Sequence, residues 1–192
     1  MVVSGGPITQ ESALIVANHI SWMDIVVIRS LFPARFIAKE EIALWPVVGT
    51  SARKAGTFFI ARRRLSSFRM TLEQVQKTLD NNGSVAVFPE GTTTCGDRIL
   101  PFRSGLFEAA IRTGRPVLPI AIRYESPDHR SLSSISYTGG ESFAKSFWRT
   151  LGEPRIIVRV HLLRSLDPAG CSRRELSGKA WTHLSSVLFP SS

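Results

Sequence analysis

Short apolar runs alternate with longer amphipathic stretches along this chain. Ala13 to Ala17 is a continuous apolar run, the pattern of a strand buried on both faces, and it stops at Asn18 and His19. A helix is predicted to follow at once. Ser21 has the chemistry of an N-cap, Asp24 stands three residues on as in a capping box, and Ile25 to Ile28 with Leu31 supply apolar surface before Pro33. Arg35 to Ala38 and Thr57 to Ala61 read as the next two strands, with a Trp45-Pro46 turn and a short helical piece between them. From Ser66 to Asp80 the residues Phe68, Leu72, Val75 and Leu79 recur at four, three and four, one face of an amphipathic helix that ends at Asn81-Asn82-Gly83.

Val85 to Phe88 is a further buried strand, Leu106 to Ile111 lies in a helix, and Val117 to Ile122 forms a strand after the Gly114-Arg115-Pro116 turn. Pro127 to Pro154, rich in Ser and Gly, reads as an excursion before a strand at Ile156 to Leu163 and a last helix from Arg173 to Leu188. This alternation predicts an α/β fold: one layered domain over residues 1–192, with a largely parallel central sheet flanked by helices. Functional loops in such sheets gather at the carboxyl ends of the strands, and His19 and Glu90 each stand just past one.

Composition narrows the class. The 192 residues, 43% hydrophobic and 20% charged, suit one substantial core and argue against disorder over most of the length. Cys95 and Cys171 form no C-x-x-C pair, so neither a disulfide framework nor a zinc knuckle is indicated and a reducing cytoplasm is the default. No apolar run approaches the roughly 18 to 20 residues of a membrane span, and Met1 to Gln10 lacks the regions of a signal peptide. The formal net charge of +9 implies attraction to anions, whether nucleic acid, anionic lipid or a phosphorylated carrier, and does not choose among them. A basic nucleic-acid-binding domain has only that charge in its favour, because zinc-finger spacing and RNP-type aromatic motifs are missing. His129, His161 and His183 have no partner pattern of a metal site, so no metal and no cofactor is expected.

Two segments carry candidate chemistry. In Asn18-His19-Ile20-Ser21-Trp22-Met23-Asp24 the histidine precedes the aspartate by five residues, about 140° apart on a continuous helix and therefore on different faces. The two can meet if His19 lies in the strand-to-helix turn and Asp24 in the first helical turn. A carboxylate on one ring nitrogen would then fix the tautomer and stabilise the imidazolium formed when the other nitrogen takes a proton. The same residues also fit a plain capping box beside an ordinary turn histidine, and this segment alone does not decide. In Phe88-Pro89-Glu90-Gly91-Thr92 a buried strand breaks at proline, delivers a carboxylate and continues through a glycine that permits close backbone approach. That loop either faces a ligand or is a turn with a solvated Glu90.

Together the two segments resemble the glycerolipid acyltransferase family that includes the 1-acylglycerol-3-phosphate acyltransferases. Gly56-Thr57-Phe58-Phe59-Ile60-Ala61-Arg62 is similar to that family's second block and Val117-Leu118-Pro119-Ile120 to its fourth, so four ordered blocks fall within residues 13–125 and residues 126–192 complete the domain. The resemblance implies that His19 is the general base, that Asp24 orients it, and that the hydroxyl of a lysolipid attacks the thioester of acyl-CoA or acyl carrier protein directly. By the same resemblance Arg62, Glu90, Gly91 and Thr92 position the acceptor headgroup. The chain departs from the pattern at Thr93, where many members have arginine, and at Ala61, where an aspartate is common. With one cation fewer, Arg62, Arg63, Arg64, Arg98 or Arg103 would have to hold a phosphate, and the related lyso-ornithine lipid acyltransferases stand as the alternative. No Gly-x-Ser-x-Gly elbow supports a serine hydrolase, and Gly91 to Gly96 is followed by Asp97-Arg98 where a P-loop needs Lys and Ser or Thr.

Lipid substrates imply a membrane surface as partner. Arg62 to Arg64 with Trp45, Phe58 and Phe59 are candidates for an interfacial face, and a peripheral place on the cytoplasmic side of the membrane is expected. Members of the family often carry an N-terminal anchor, which here would precede the dozen or so residues before the first strand.

Overall fold

A seven-stranded sheet organises the computed structural model, which describes residues 1–8, 11–44, 48–61, 65–128, 130–137 and 140–190. The strands are β1 (Val2–Gly5), β2 (Leu14–Ala17), β3 (Ala34–Lys39), β4 (Phe58–Ile60), β5 (Ser84–Val87), β6 (Val117–Glu125) and β7 (Ile157–Leu162). The helices are α1 (Met23–Leu31), α2 (Val48–Lys54), α3 (Leu65–Asp80), α4 (Phe107–Thr113), α5 (Phe143–Leu151) and α6 (Arg173–Leu188). The strand order is β1-β7-β6-β2-β5-β3-β4, and every neighbouring pair is parallel except β6 with β7. This is the layered, largely parallel α/β sheet that the pattern predicts.

Central β2 shows why its sequence is apolar at every position. Ile15 and Ala17 pack on one face with Ile28 of α1, Phe36, Ile120 and Ile122. Leu14 and Val16 pack on the other with Val75 and Leu79 of α3, Phe107 of α4 and Leu176 of α6. A strand covered by helices on both faces has no position for a polar side chain. Each fully buried Leu, Ile, Val or Phe contributes roughly 1.5–3 kcal/mol from area removed from water.

The structure differs from the sequence pattern in several places. No sequence pattern marks β1: its four residues are all exposed and it is held only as an edge strand parallel to β7, so it has no apolar signature. The stretch predicted as an excursion contains a 3-10 turn at Ser133–Ile135, anchored by the fully buried Ile135, and helix α5. β6 continues three residues past Ile122, which carries Tyr124 into the sheet. The Trp45-Pro46 turn lies outside the described residues, between the 3-10 turn Glu40–Leu44 and α2. Ser21 does not cap α1: the residue before the helix is Trp22, and Ser21 Oγ has no hydrogen-bond partner among the described residues. A full capping box forms instead at α6, between Ser172 and Glu175.

Phe107 is 0% exposed at the centre of the cluster under α3, α4 and α6. Phe107→Ala is expected to lower unfolding free energy by about 3–5 kcal/mol, the usual cost of an aromatic cavity, read as a reduced midpoint in urea with an unchanged slope.

Candidate functional site

Strands β2 and β5 are parallel neighbours, so the loops leaving their carboxyl ends lie side by side. Asn18 makes the exit from β2. Its side chain is buried, donating through Nδ2 to Ile122 O at 3.0 Å and accepting from Ile122 N at 2.8 Å, and so it extends the pairing to β6 before the backbone turns.

His19 is fixed on four sides. Its N–H donates to Glu90 Oε1 at 2.8 Å, and its carbonyl accepts from Thr94 N at 2.9 Å. Its ring stacks on Phe88 with centroids 3.9 Å apart and planes 9° from parallel. Nδ1 lies 2.8 Å from Asp24 Oδ2. The strand-to-helix turn brings together two residues that a continuous helix would hold apart.

Asp24 sits in the first turn of α1 and is 0% exposed. Its Oδ2 also accepts from Ile20 N at 2.7 Å and Ser21 N at 2.9 Å, while Oδ1 accepts from Tyr124 O–H at 2.6 Å. The two amides belong to the turn that leads into α1, ahead of the residue Trp22 that precedes the helix. The bond from Ser21 N is the carboxylate half of the predicted capping box; the half that Ser21 Oγ would make to the helix amides is not formed. An ionised carboxylate only accepts, so Nδ1 carries the proton and Nε2 is left with its lone pair. The His19 side chain remains 20% exposed, and among the described residues nothing bonds to Nε2.

Glu90 is not a solvated turn residue. It is 4% exposed, and its Oε1 and Oε2 accept from His19 N and Leu100 N, each at 2.8 Å. Burial pushes its carboxyl above the ordinary range, partly offset by the Leu100 and His19 amide bonds. Gly91 has φ +74°, and a Cβ there would lie 3.0 Å from Arg103 Nε, so the glycine lets the guanidinium approach the loop. Thr92 is exposed, and Thr93 Oγ1 donates to the carbonyl of Tyr137, whose own N–H donates to Ile20 O at 2.9 Å. Arg62, with Arg63 and Arg64, lies outside the described residues.

Tyr124 has no sequence signature of a site residue. Alternation along β6 puts it on the same face as Ile120 and Ile122, where a tyrosine looks like core. Burial, then the charge of Asp24 and the hydrogen bond to it, raise its hydroxyl well above the ordinary tyrosine range, so it stays a donor at neutral pH. Among the described residues no three His, Cys, Asp or Glu side chains gather as metal ligands. No described helix is long and apolar enough to cross a membrane.

Comparison with known proteins places the chain. An acyltransferase family model matches residues 3–123. The chain is 35% identical over 83% of its length to a 1-acyl-sn-glycerol-3-phosphate acyltransferase of Neisseria meningitidis, spanning 62% of that protein. It is 33% identical over 96% of its length to a lyso-ornithine lipid O-acyltransferase of Pseudomonas aeruginosa, spanning 70% of it. Among solved structures, the 1-acyl-sn-glycerophosphate acyltransferase of Thermotoga maritima superposes with a TM-score of 0.64 at 26% identity, covering all of this chain and 73% of that one.

Two substitutions test the framework of the site. Tyr124→Phe strands Asp24 Oδ1 without its donor and is expected to lower stability at pH 7 by about 1–3 kcal/mol in urea denaturation. Glu90 has a folded-state pKa raised above that of the unfolded chain, so its contribution to stability is fully present below the unfolded value and is lost as pH rises through the folded one. The stability of the native protein relative to Glu90→Gln is therefore expected to increase as pH falls from 7 toward 5, measured by denaturation at each pH.

Proposed function

Because the chain belongs to the acyltransferase family, we propose that it transfers a fatty acyl group from acyl-CoA or acyl carrier protein to the free hydroxyl of a lysolipid. The favoured acceptor is 1-acyl-sn-glycerol-3-phosphate, which gives phosphatidic acid in phospholipid biosynthesis. The observation that carries this reading is the His19–Asp24 pair, with Nδ1 committed to the buried carboxylate and Nε2 open.

Chemistry at such a pair runs in one sequence. Nε2 takes the proton of the acceptor hydroxyl as its oxygen attacks the thioester carbonyl, so no charged alkoxide forms in advance. Asp24 stabilises the imidazolium, much as the carboxylate of a hydrolase triad does. The tetrahedral adduct collapses to the ester and expels the carrier thiolate, which receives the proton from Nε2. No covalent acyl-enzyme is needed and no cofactor enters.

The acceptor headgroup is assigned to Arg62, Gly91 and Thr92, with Arg103 beside Gly91 as a further cation. A guanidinium can hold a phosphate through two parallel N–H bonds, which a lysine cannot. Glu90 spends both oxygens on backbone amides, so its part is to hold the His19 loop in place. Thr93, in the position where arginine is common, favours the second reading, a lyso-ornithine lipid acceptor with no phosphate to clamp. In either case the protein works as a peripheral enzyme on the cytoplasmic face of the membrane.

Free-thiol release should be measured from palmitoyl-CoA and from acyl carrier protein thioester, with lysophosphatidic acid and lyso-ornithine lipid offered separately. Release that depends on one acceptor supports the reading and identifies the headgroup, whereas none with any pair would sink it. His19→Ala is expected to reduce turnover by about 10³-fold or more, and Asp24→Asn by about 10²–10⁴-fold, with both variants still folded by circular dichroism. Unchanged turnover in His19→Ala would remove the histidine from the mechanism.

A further inference from the structure

Helix α5 faces the wrong way for a helix packed on a water-soluble domain. Its inward side is polar: Ser146 and Thr150 are 0% and 4% exposed, and neither hydroxyl has a hydrogen-bond partner among the described residues. Its outward side is apolar. Trp148 and Leu151 are 70% and 58% exposed, and Phe143 and Phe147 are half-buried beside them. At 100° per residue these four fall within one arc of about 140°. An amphipathic helix of a soluble domain normally lays such an arc on the core.

The arc continues onto α1. The Trp22 ring lies 5.7 Å from Phe143 and 5.6 Å from Phe147, and Val26, one turn along α1 from Trp22, is 59% exposed. The whole face borders the turn that carries His19, three residues before Trp22. Contiguous, partly exposed apolar surface of this kind, with Trp148, Leu151 and Val26 its most exposed members, marks a place where something docks.

We infer that this α5–α1 face lies on an anionic lipid bilayer, with Trp148 and Leu151 entering the boundary between headgroups and acyl chains. The choice of lipid as occupant rests on the acyl-transfer reading, since the acceptor has to be reached from a membrane. Charge points the same way. α5 carries Lys145 and Arg149 and no acidic residue; Arg149 is paired with Glu141, while Lys145 and, on α1, Arg29 are exposed at the flanks. Tryptophan, phenylalanine and leucine on one face with cations at its edge are the signature of a helix lying in a membrane interface. A second copy of a chain with net charge +9 would bring like charges together on the same face, whereas anionic headgroups would neutralise them.

Vesicle co-sedimentation tests this without any turnover. The native protein and the double variant Trp148→Ser, Leu151→Ser are each mixed with vesicles of phosphatidylglycerol and phosphatidylcholine. Native protein should bind, and the variant should partition at least about tenfold less with an unchanged melting temperature. Lipids brominated in the upper acyl chain should quench native fluorescence more than that of Trp148→Phe. Failure of native protein to bind, equal binding by the variant, or a native dimer that the substitutions dissociate would overturn the proposal. Thiol release with a short-chain, monomeric lysolipid is read in parallel and should be the same for native and variant. Loss of that turnover in both proteins, with vesicle binding still dependent on Trp148 and Leu151, would count against the acyl-transfer reading and leave the docking surface standing.

Discussion

Everything near the site depends on keeping a carboxylate ionised where no water reaches it. Asp24 is fully buried, and an isolated charge in that position would cost several kcal/mol. Four donors offset the cost: His19 Nδ1 and the amides of Ile20 and Ser21 on one oxygen, Tyr124 on the other. They come from the loop after β2, the approach to α1 and the far end of β6. Satisfying one charge thus ties a loop, a helix and the central sheet together, and it leaves the histidine ring with a single orientation.

Glu90 complements this from the other side. Asp24 holds the His19 side chain, and Glu90 holds its backbone while also binding the amide of Leu100 ten residues further on. Phe88 supplies a flat wall for the ring. The proton-accepting role proposed for His19 gains from such restraint, because misplacement by a fraction of an ångström is enough to spoil transfer.

Much of the fold was legible because buried elements imprint their period on the chain. The runs in β2, β5 and β6 correspond to residues in the core, and of the α3 stripe Val75 and Leu79 are core residues with Leu72 packed against them. β1 left no imprint because all four of its residues are exposed. α5 leaves no such imprint because its most exposed large residues, Trp148 and Leu151, are apolar and its buried ones, Ser146 and Thr150, are polar, in a stretch rich in Ser and Gly. The pairing of His19 with Asp24 was legible from their spacing once a turn was placed between them. Tyr124 was not, since its partner is 100 residues away and a tyrosine in an apolar strand looks like packing. The direction of Glu90 was hidden for a different reason: the backbone amides it binds have no sequence signature. Only the carboxylate half of a capping box at Ser21 forms: Asp24 accepts from the Ser21 amide, while Ser21 Oγ binds none of the described residues.

The register of β2 on β5 has an evolutionary consequence. Leu14 pairs with Val85 and Val16 with Val87, and the same offset of 71 residues brings His19 to Glu90. What holds the two motifs together is the ladder between adjacent strands, not the length of chain that joins them. Segments inserted into or deleted from the connections beyond α1 would leave the contacts of His19 with Asp24 and Glu90 untouched so long as the two strands still pair. Those connections include β4 and Arg62. A lineage could therefore reshape the headgroup site proposed for Arg62 by lengthening or trimming them while the turn at His19 descends unaltered.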